Sequence, residues 1–209
     1  NAQLNYNSEQ FEKMRKIGEN ETLICQLIRN DSNDDFISFV NHSNLSLTAT
    51  IESSIFETNT FLMKCKPTLI EYAAFYGSVK IFKYLFLSDV KLNSSLWLYA
   101  IHGRNPEIIH LLEENNVKPP GNSFQKCLLE SIKCHHNELS KYFEMNSQKN
   151  DVENFAAFAK SFQFNNYKFF PNDLDINDIT FYHLCKNDYF SLVDFFLKSS
   201  KLNLNALTI

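Results

Sequence analysis

Residues 68–114 read TLIEYAAFYGSVKIFKYLFLSDVKLNSSLWLYAIHGRNPEIIHLLEE, and one short pattern occurs in them twice. Superposing Ala73-Ala74 on Ala100-Ile101, 27 residues on, lays Tyr84-Leu85 over Leu111-Leu112. Each copy is a run of small and apolar residues at helical spacing, a tight polar turn, and a second apolar run that closes on two bulky side chains. A period in the range of about 20 to 50 residues signals stacked supersecondary units, because one such unit cannot bury its apolar face alone. Thr68 is placed to cap the first helix and Gly77 to permit the turn, while Ser95 and Pro106 take the helix-start positions of the second copy. The short side chains of Ala73, Ala74 and Ala100 let paired helices approach closely.

Working outward, Cys127 to Phe143 repeats the pattern, with Ser131-Ile132 answering Ala100-Ile101 and Tyr142-Phe143 answering Leu111-Leu112. The Pro119-Pro120-Gly121 loop takes up the extra residues between these copies. Thr180 to Leu197 gives another, with Leu184-Cys185 in the first helix and Phe195-Phe196 closing the second. Asn154 to Phe170 matches less fully, with Phe158-Ala159 in the close-contact position. Upstream, Asn7-Ser8 caps a helix that ends near Gly18, and residues 21–40 make a helical hairpin in which Ile28 answers Ala73. A further helix is expected over residues 47–58, presenting Ile51, Ile55 and Phe56. The expected fold class is all-α, an α-solenoid of degenerate stacked helical hairpins with short loops. Residues 1–66 would hold N-terminal helices and a degenerate first repeat or cap, and residues 67–209 the repeats, near 68–93, 95–118, 123–146, 151–172 and 178–203.

Composition narrows the functional classes. Only 4 glycines and 5 prolines among 209 residues leave too few turn formers for a sandwich or barrel. A net charge of −4 supplies no basic field, so nucleic acid is not an expected partner. The 5 cysteines are odd in number and lack a framework spacing, which reads as reduced thiols in an intracellular protein, cytoplasmic or nuclear. No apolar run reaches membrane-spanning length, and the opening residues do not read as a secretory signal. A chain that starts at Asn1 reads as a piece of a longer protein.

Two constellations invite a chemical reading. Cys134-His135-His136, with Cys127 nearby, has zinc-ligand residue types, but four ligands must converge at about 2.0–2.3 Å. Three consecutive residues splay around a turn, and these occupy the turn held by Gly103-Arg104-Asn105 in the preceding copy. They read as turn residues, and neither metal nor cofactor is expected. His102, Arg104 and His110 with Glu107, Glu113 and Glu114 resemble an acid–base group, but no nucleophile, oxyanion donor or glycine-rich phosphate loop accompanies them. No enzyme is expected. Trp97, Phe82, Tyr84, Phe143, Phe195 and Phe196 recur at core spacing. Phe75 and Tyr76 differ, standing just before the turn, where the other copies carry His102-Gly103, Lys133-Cys134 and Lys186-Asn187.

TLIEYAAFYGS followed by VKIFKYL resembles the ankyrin repeat, with Thr68, Ala73-Ala74, Gly77, Ile81 and Leu85 at matching positions. Leu69 and Glu71 replace the family's proline and histidine, and Arg104, His135 and Asp188 stand where its turn glycine belongs. Residues 51–78 and 95–114 more closely resemble an uncharacterised domain found ahead of ankyrin arrays in proteins of some protists, a resemblance that extends over residues 51–205. It implies an ankyrin-like α-solenoid whose residues before the turn face a concave groove. The implied partner-binding residues are Phe75, Tyr76, His102, Arg104, Lys133, His135 and Lys186. The implied function is a non-catalytic protein–protein interaction module or scaffold of a larger ankyrin-repeat protein, binding a protein or peptide on the concave face. The alternative is a structural cap of downstream ankyrin repeats in the same chain, with no ligand of its own.

Overall fold

A capping box starts the helix at the centre of the opening stretch. The Thr68 hydroxyl accepts from the Glu71 backbone N–H, and the Glu71 carboxylate accepts in return from the Thr68 N–H at 2.8 Å. This satisfies two of the donors that every helix start leaves open. Glu71, 8% exposed, also accepts from the Ser95 hydroxyl, which ties this helix start to the next hairpin. Ser95 thus spends its hydroxyl on Glu71 and makes no side-chain cap for its own helix, the role its position predicts.

The computed structural model describes residues 7–147, 151–170 and 178–199, so the ends of the expected repeats at 171–172 and 200–203 lie outside the described residues. Among the described residues the regular elements are helices, and the only β pairing is an isolated bridge between Thr50 and Thr68. The chain divides into two units between Pro119 and Pro120. The first unit holds α1 (Ser8–Ile17), α2 (Leu23–Arg29), α3 (Asn33–Ser43), α4 (Thr60–Lys64), α5 (Leu69–Tyr76), α6 (Val79–Leu87), α7 (Leu96–Gly103) and α8 (Pro106–Glu114). The second holds α9 (Gln125–Lys133), α10 (Asn137–Asn146), α11 (Asp151–Gln163), a 3-10 turn (Tyr167–Phe169), α12 (Asp178–Lys186) and α13 (Phe190–Ser199). No helix among the described residues is long and apolar enough to cross a membrane.

One backbone device recurs at the six turns that follow α2, α5, α7, α9, α11 and α12. Asp31, Gly77, Arg104, His135, Asn165 and Asp188 all take left-handed backbone angles, with φ between 49° and 68°. At five of these turns the next N–H donates to the carbonyl five residues back: Ser32 to Leu27, Ser78 to Ala73, His136 to Ser131, Asn166 to Ser161 and Tyr189 to Leu184. Such bonds close a helix end by using carbonyls that the helix leaves open. Aligned on the turns, Ile28 corresponds to Ala74, one position from the expected register. In α11 the close-contact pair is Ser161-Phe162, not the expected Phe158-Ala159, and Phe162 is fully buried.

Side chains just after the turns bind neighbouring hairpins within each unit. Ser78 Oγ donates to Ile28 O at 2.6 Å, Asn166 Nδ2 to Ile132 O at 2.9 Å, and Tyr189 Oη to Phe162 O at 3.1 Å. Each acceptor lies three residues before its own left-handed residue. Asn105 Nδ2 donates instead to Gly77 O at 3.3 Å, because Gly103 stands over the equivalent carbonyl, that of Ala74. In the first unit α5 lies between α2 and α7, and α6 between α3 and α8; in the second, α11 packs on both α9 and α12. The first unit therefore sets its hairpins side by side in two rows.

Trp97, Phe82, Phe143 and Phe196 are buried as expected of core residues, whereas Phe195 is 59% exposed. Residues 47–58 are not the expected helix. Ile51 N–H donates to Pro67 O at 2.7 Å and Leu69 N–H to Ala49 O at 3.1 Å, so residues 49–51 pair with the start of α5, and the chain turns on either side, at 47–48 and 55–56. Thr48, Thr50, Ser53 and Ser54 favour this outcome, since their hydroxyls compete for backbone groups and β-branching disfavours helix. Ile51 and Phe56 still reach the core, while Ile55 is 76% exposed.

Candidate functional site

The sequence-predicted site residues fall at the ends of first helices, and each unit presents its own set. In the first unit Phe75 ends in α5 and is buried, stacked on His102 of α7 at 4.8 Å between ring centres. Phe61 of α4 closes the group, 4.5 Å from the His102 ring and 5.0 Å from Tyr99. Phe75 is thus a packing residue as much as a surface one. Tyr76 leans on Tyr72 at 4.9 Å and receives the Arg29 guanidinium over its ring at 5.8 Å. Arg104 occupies the left-handed turn after α7 and is exposed.

The same end of the first unit holds a polar network that the sequence alone does not reveal. Arg29 pairs with Glu19 at 2.9 Å and donates to Tyr72 Oη at 3.0 Å and to the Asn20 carbonyl at 2.8 Å. Tyr72 is 1% exposed. Burial pushes its phenol well above the ordinary tyrosine value and that of Tyr76 up to about 12, so both stay neutral donors at physiological pH. Burial likewise raises the Cys25 thiol, and in the second unit it raises that of Cys127 to about 12. Thiols held protonated are poor nucleophiles.

In the second unit Lys133 is half-buried at the end of α9 and pairs with Glu130 at 2.7 Å. His135 sits in the following left-handed turn, its Nε2 at 2.8 Å from the Phe164 carbonyl. Lys186, exposed at the end of α12, stands 5.3 Å over the Tyr182 ring. Cys127, Cys134, His135 and His136 do not converge: no three of them bring ligand atoms within 4.8 Å of one another. Of the imagined acid–base group, His110 and Glu113 meet at 3.1 Å, one helical turn apart on α8, while Glu107 pairs outside the group with Lys83.

Alignment on the turns brings out two positions that point along the first-helix face. Two residues before the left-handed residue stand Arg29, Phe75, His102, Lys133, Gln163 and Lys186; five before it stand Gln26, Tyr72, Tyr99, Glu130, Lys160 and His183. Polar-tipped side chains thus recur on a helix face whose neighbours are small or apolar. Alignment by small pairs obscures the second series, because the pair in α11 is misplaced by three residues. No protein-family model, no curated protein and no solved structure matches this chain.

Proposed function

We propose that this chain is a non-catalytic protein-interaction module, its hairpins stacked in ankyrin-like fashion, with a protein or peptide partner bound along the ends of the first helices. One observation carries the reading. The residue two before each turn differs in chemistry from copy to copy, from Arg29 through Phe75, His102, Lys133 and Gln163 to Lys186, while a nearly invariant buried frame lies behind it. The buried frame keeps the same places: Ile28, Ala74, Ile101, Ile132, Phe162 in the first helices and Leu85, Leu112, Phe143, Phe196 in the second. A fixed scaffold with a varied face is how repeat modules hold specificity, since the backbone needs no rearrangement to bind. Lys186, which is exposed, and Lys133, which is half-buried, are the basic side chains of that series suited to anchor a partner.

Affinity capture from lysate of the source cells tests it. The intact chain is expected to retain a partner that Lys133→Glu/Lys186→Glu loses and that Lys80→Glu/Lys141→Glu, reversed on the second helices, keeps. Equal retention by both double variants, each verified folded by circular dichroism, contradicts a first-helix binding face. Retention of nothing by the intact chain leaves the role of a structural cap.

A further inference from the structure

Between α9, α11 and α12 the second unit has a half-open cavity of about 370 Å³, lined by Leu129, Ala159, Lys160, Gln163, His183 and Lys186 among others. His183 is only 4% exposed, ringed by Phe155, Phe158 and Phe162, with its Nε2 in no hydrogen bond among the described residues. A buried polar atom left unbonded is rare, because it forfeits water without recompense, and each case marks strain or a missing partner. Lys160 donates to Gln163 Oε1 at 2.8 Å and lies 5.1 Å over the Phe164 ring, and Lys186 lies over Tyr182. Among the described residues neither ammonium is ion-paired, and the carboxylate of Glu130, adjacent to Leu129, is taken by Lys133. Two cations at a recess that Leu129, Ala159 and His183 help to line form a receptor for an anionic group carried on a short apolar stem. A glutamate or aspartate side chain has that shape.

We propose that this cavity receives an acidic side chain of a bound peptide, its carboxylate accepting from Lys160 and Lys186 beside the buried His183. The inference rests on the interaction-module reading and names the chemistry of its partner. Peptide is favoured over nucleic acid because a net charge of −4 supplies no extended basic field, whereas one carboxylate needs only the two local cations.

The test titrates the whole chain with an acetylated, amidated tetraglutamate peptide, its tetraglutamine counterpart, and sodium phosphate. Binding is followed by calorimetry and by the imidazole NMR signals of the 6 histidines. Saturable binding of the glutamate peptide is expected, at least tenfold tighter than the glutamine peptide and than phosphate, with the His183 signals moving. Lys160→Gln and Lys186→Gln are each expected to weaken it tenfold or more, and Lys141→Gln to leave it unchanged. Equal affinity for the two peptides, phosphate bound as tightly as peptide, or unmoved His183 signals overturns the proposal. His183→Gln adds a direct readout where it folds, and the two lysine variants decide where it does not. If the intact chain captures a cellular partner that Lys160→Gln still holds, the cavity proposal fails and the interaction module stands. If the peptide binds as described and nothing is captured, the module reading is the one that fails.

Discussion

At Gly103 the backbone of α7 comes against the end of α5 with no room for a side chain. A Cβ there would press into the Ala74 carbonyl and stand 2.9 Å from the Gly77 nitrogen, and both are backbone atoms that cannot swing aside. Gly77 itself is left-handed, at φ 68°, and meets the Gly103 carbonyl. Gly103→Ala is therefore expected to cost about 3 kcal/mol, the upper range for an overpacked contact. Gly121→Ala, with nothing within 4 Å of its Cβ, is expected to cost only the left-handed strain, about 1 kcal/mol. Equal shifts in thermal melting for the two variants would contradict this account of the α5–α7 contact. The close approach at Ala73-Ala74 is legible in the sequence, because small residues recur at one register. Gly103 is not, because in its own copy it stands where the preceding copy has Tyr76, and the reason for it lies on another helix.

His183 carries the residue-scale expectation for pH. Burial, then the positive charge of Lys186, holds its imidazole below the ordinary value. The unfolded chain therefore binds a proton that the folded chain refuses. Stability is full above the unfolded pKa of about 6.5 and falls as pH drops below it. Melting temperatures of His183→Gln are expected to fall less steeply than those of the natural chain between about pH 7 and pH 5. Parallel profiles would contradict the depressed imidazole.

The turns set the order of the elements. Asp31 shows how much one of them does: it adopts φ 49° and its carboxylate accepts from Lys80 N–H at 3.1 Å and Ile81 N–H at 3.0 Å, capping α6 from a neighbouring hairpin. Asp31→Ala is expected to cost about 1–2 kcal/mol in urea unfolding and Asp31→Asn much less, since asparagine both caps and tolerates the left-handed angle. A loss as large for asparagine as for alanine would contradict the capping role. Tyr189→Phe, which removes the hydroxyl bound to Phe162 O and Asn165 Oδ1, is expected to cost about 1 kcal/mol. The paired helices after α2, α5, α7, α9 and α12 were legible because each turn is flanked by apolar runs at helical period. Residues 47–58 were not, because Ile51, Ile55 and Phe56 mimic that period while the hydroxyl-rich backbone pairs with residues 67–69. The short α4 has no period to read, yet it brings Phe61 onto His102.

At the scale of the molecule, each unit has its own buried centre: Tyr72, Ile81, Leu96 and Trp97 in the first, and Phe162, Phe181, Leu184 and Phe196 in the second. Trp97, the single tryptophan, donates from Nε1 to Val117 O at 2.8 Å and so reports on the first unit. Residues 1–119 alone are expected to unfold cooperatively by Trp97 fluorescence, with a gradual, featureless change as the contradicting result. The cavity around His183 was out of reach from sequence because its walls come from three helices that no local pattern connects.

The interaction face is tested most directly by amide hydrogen exchange on the whole chain, alone and bound to the partner it captures. Slower exchange on binding is predicted at the ends of the first helices, residues 72–76, 99–104, 130–135 and 183–188, with α6, α8 and α10 unchanged. Protection confined to those second helices would contradict a first-helix binding face.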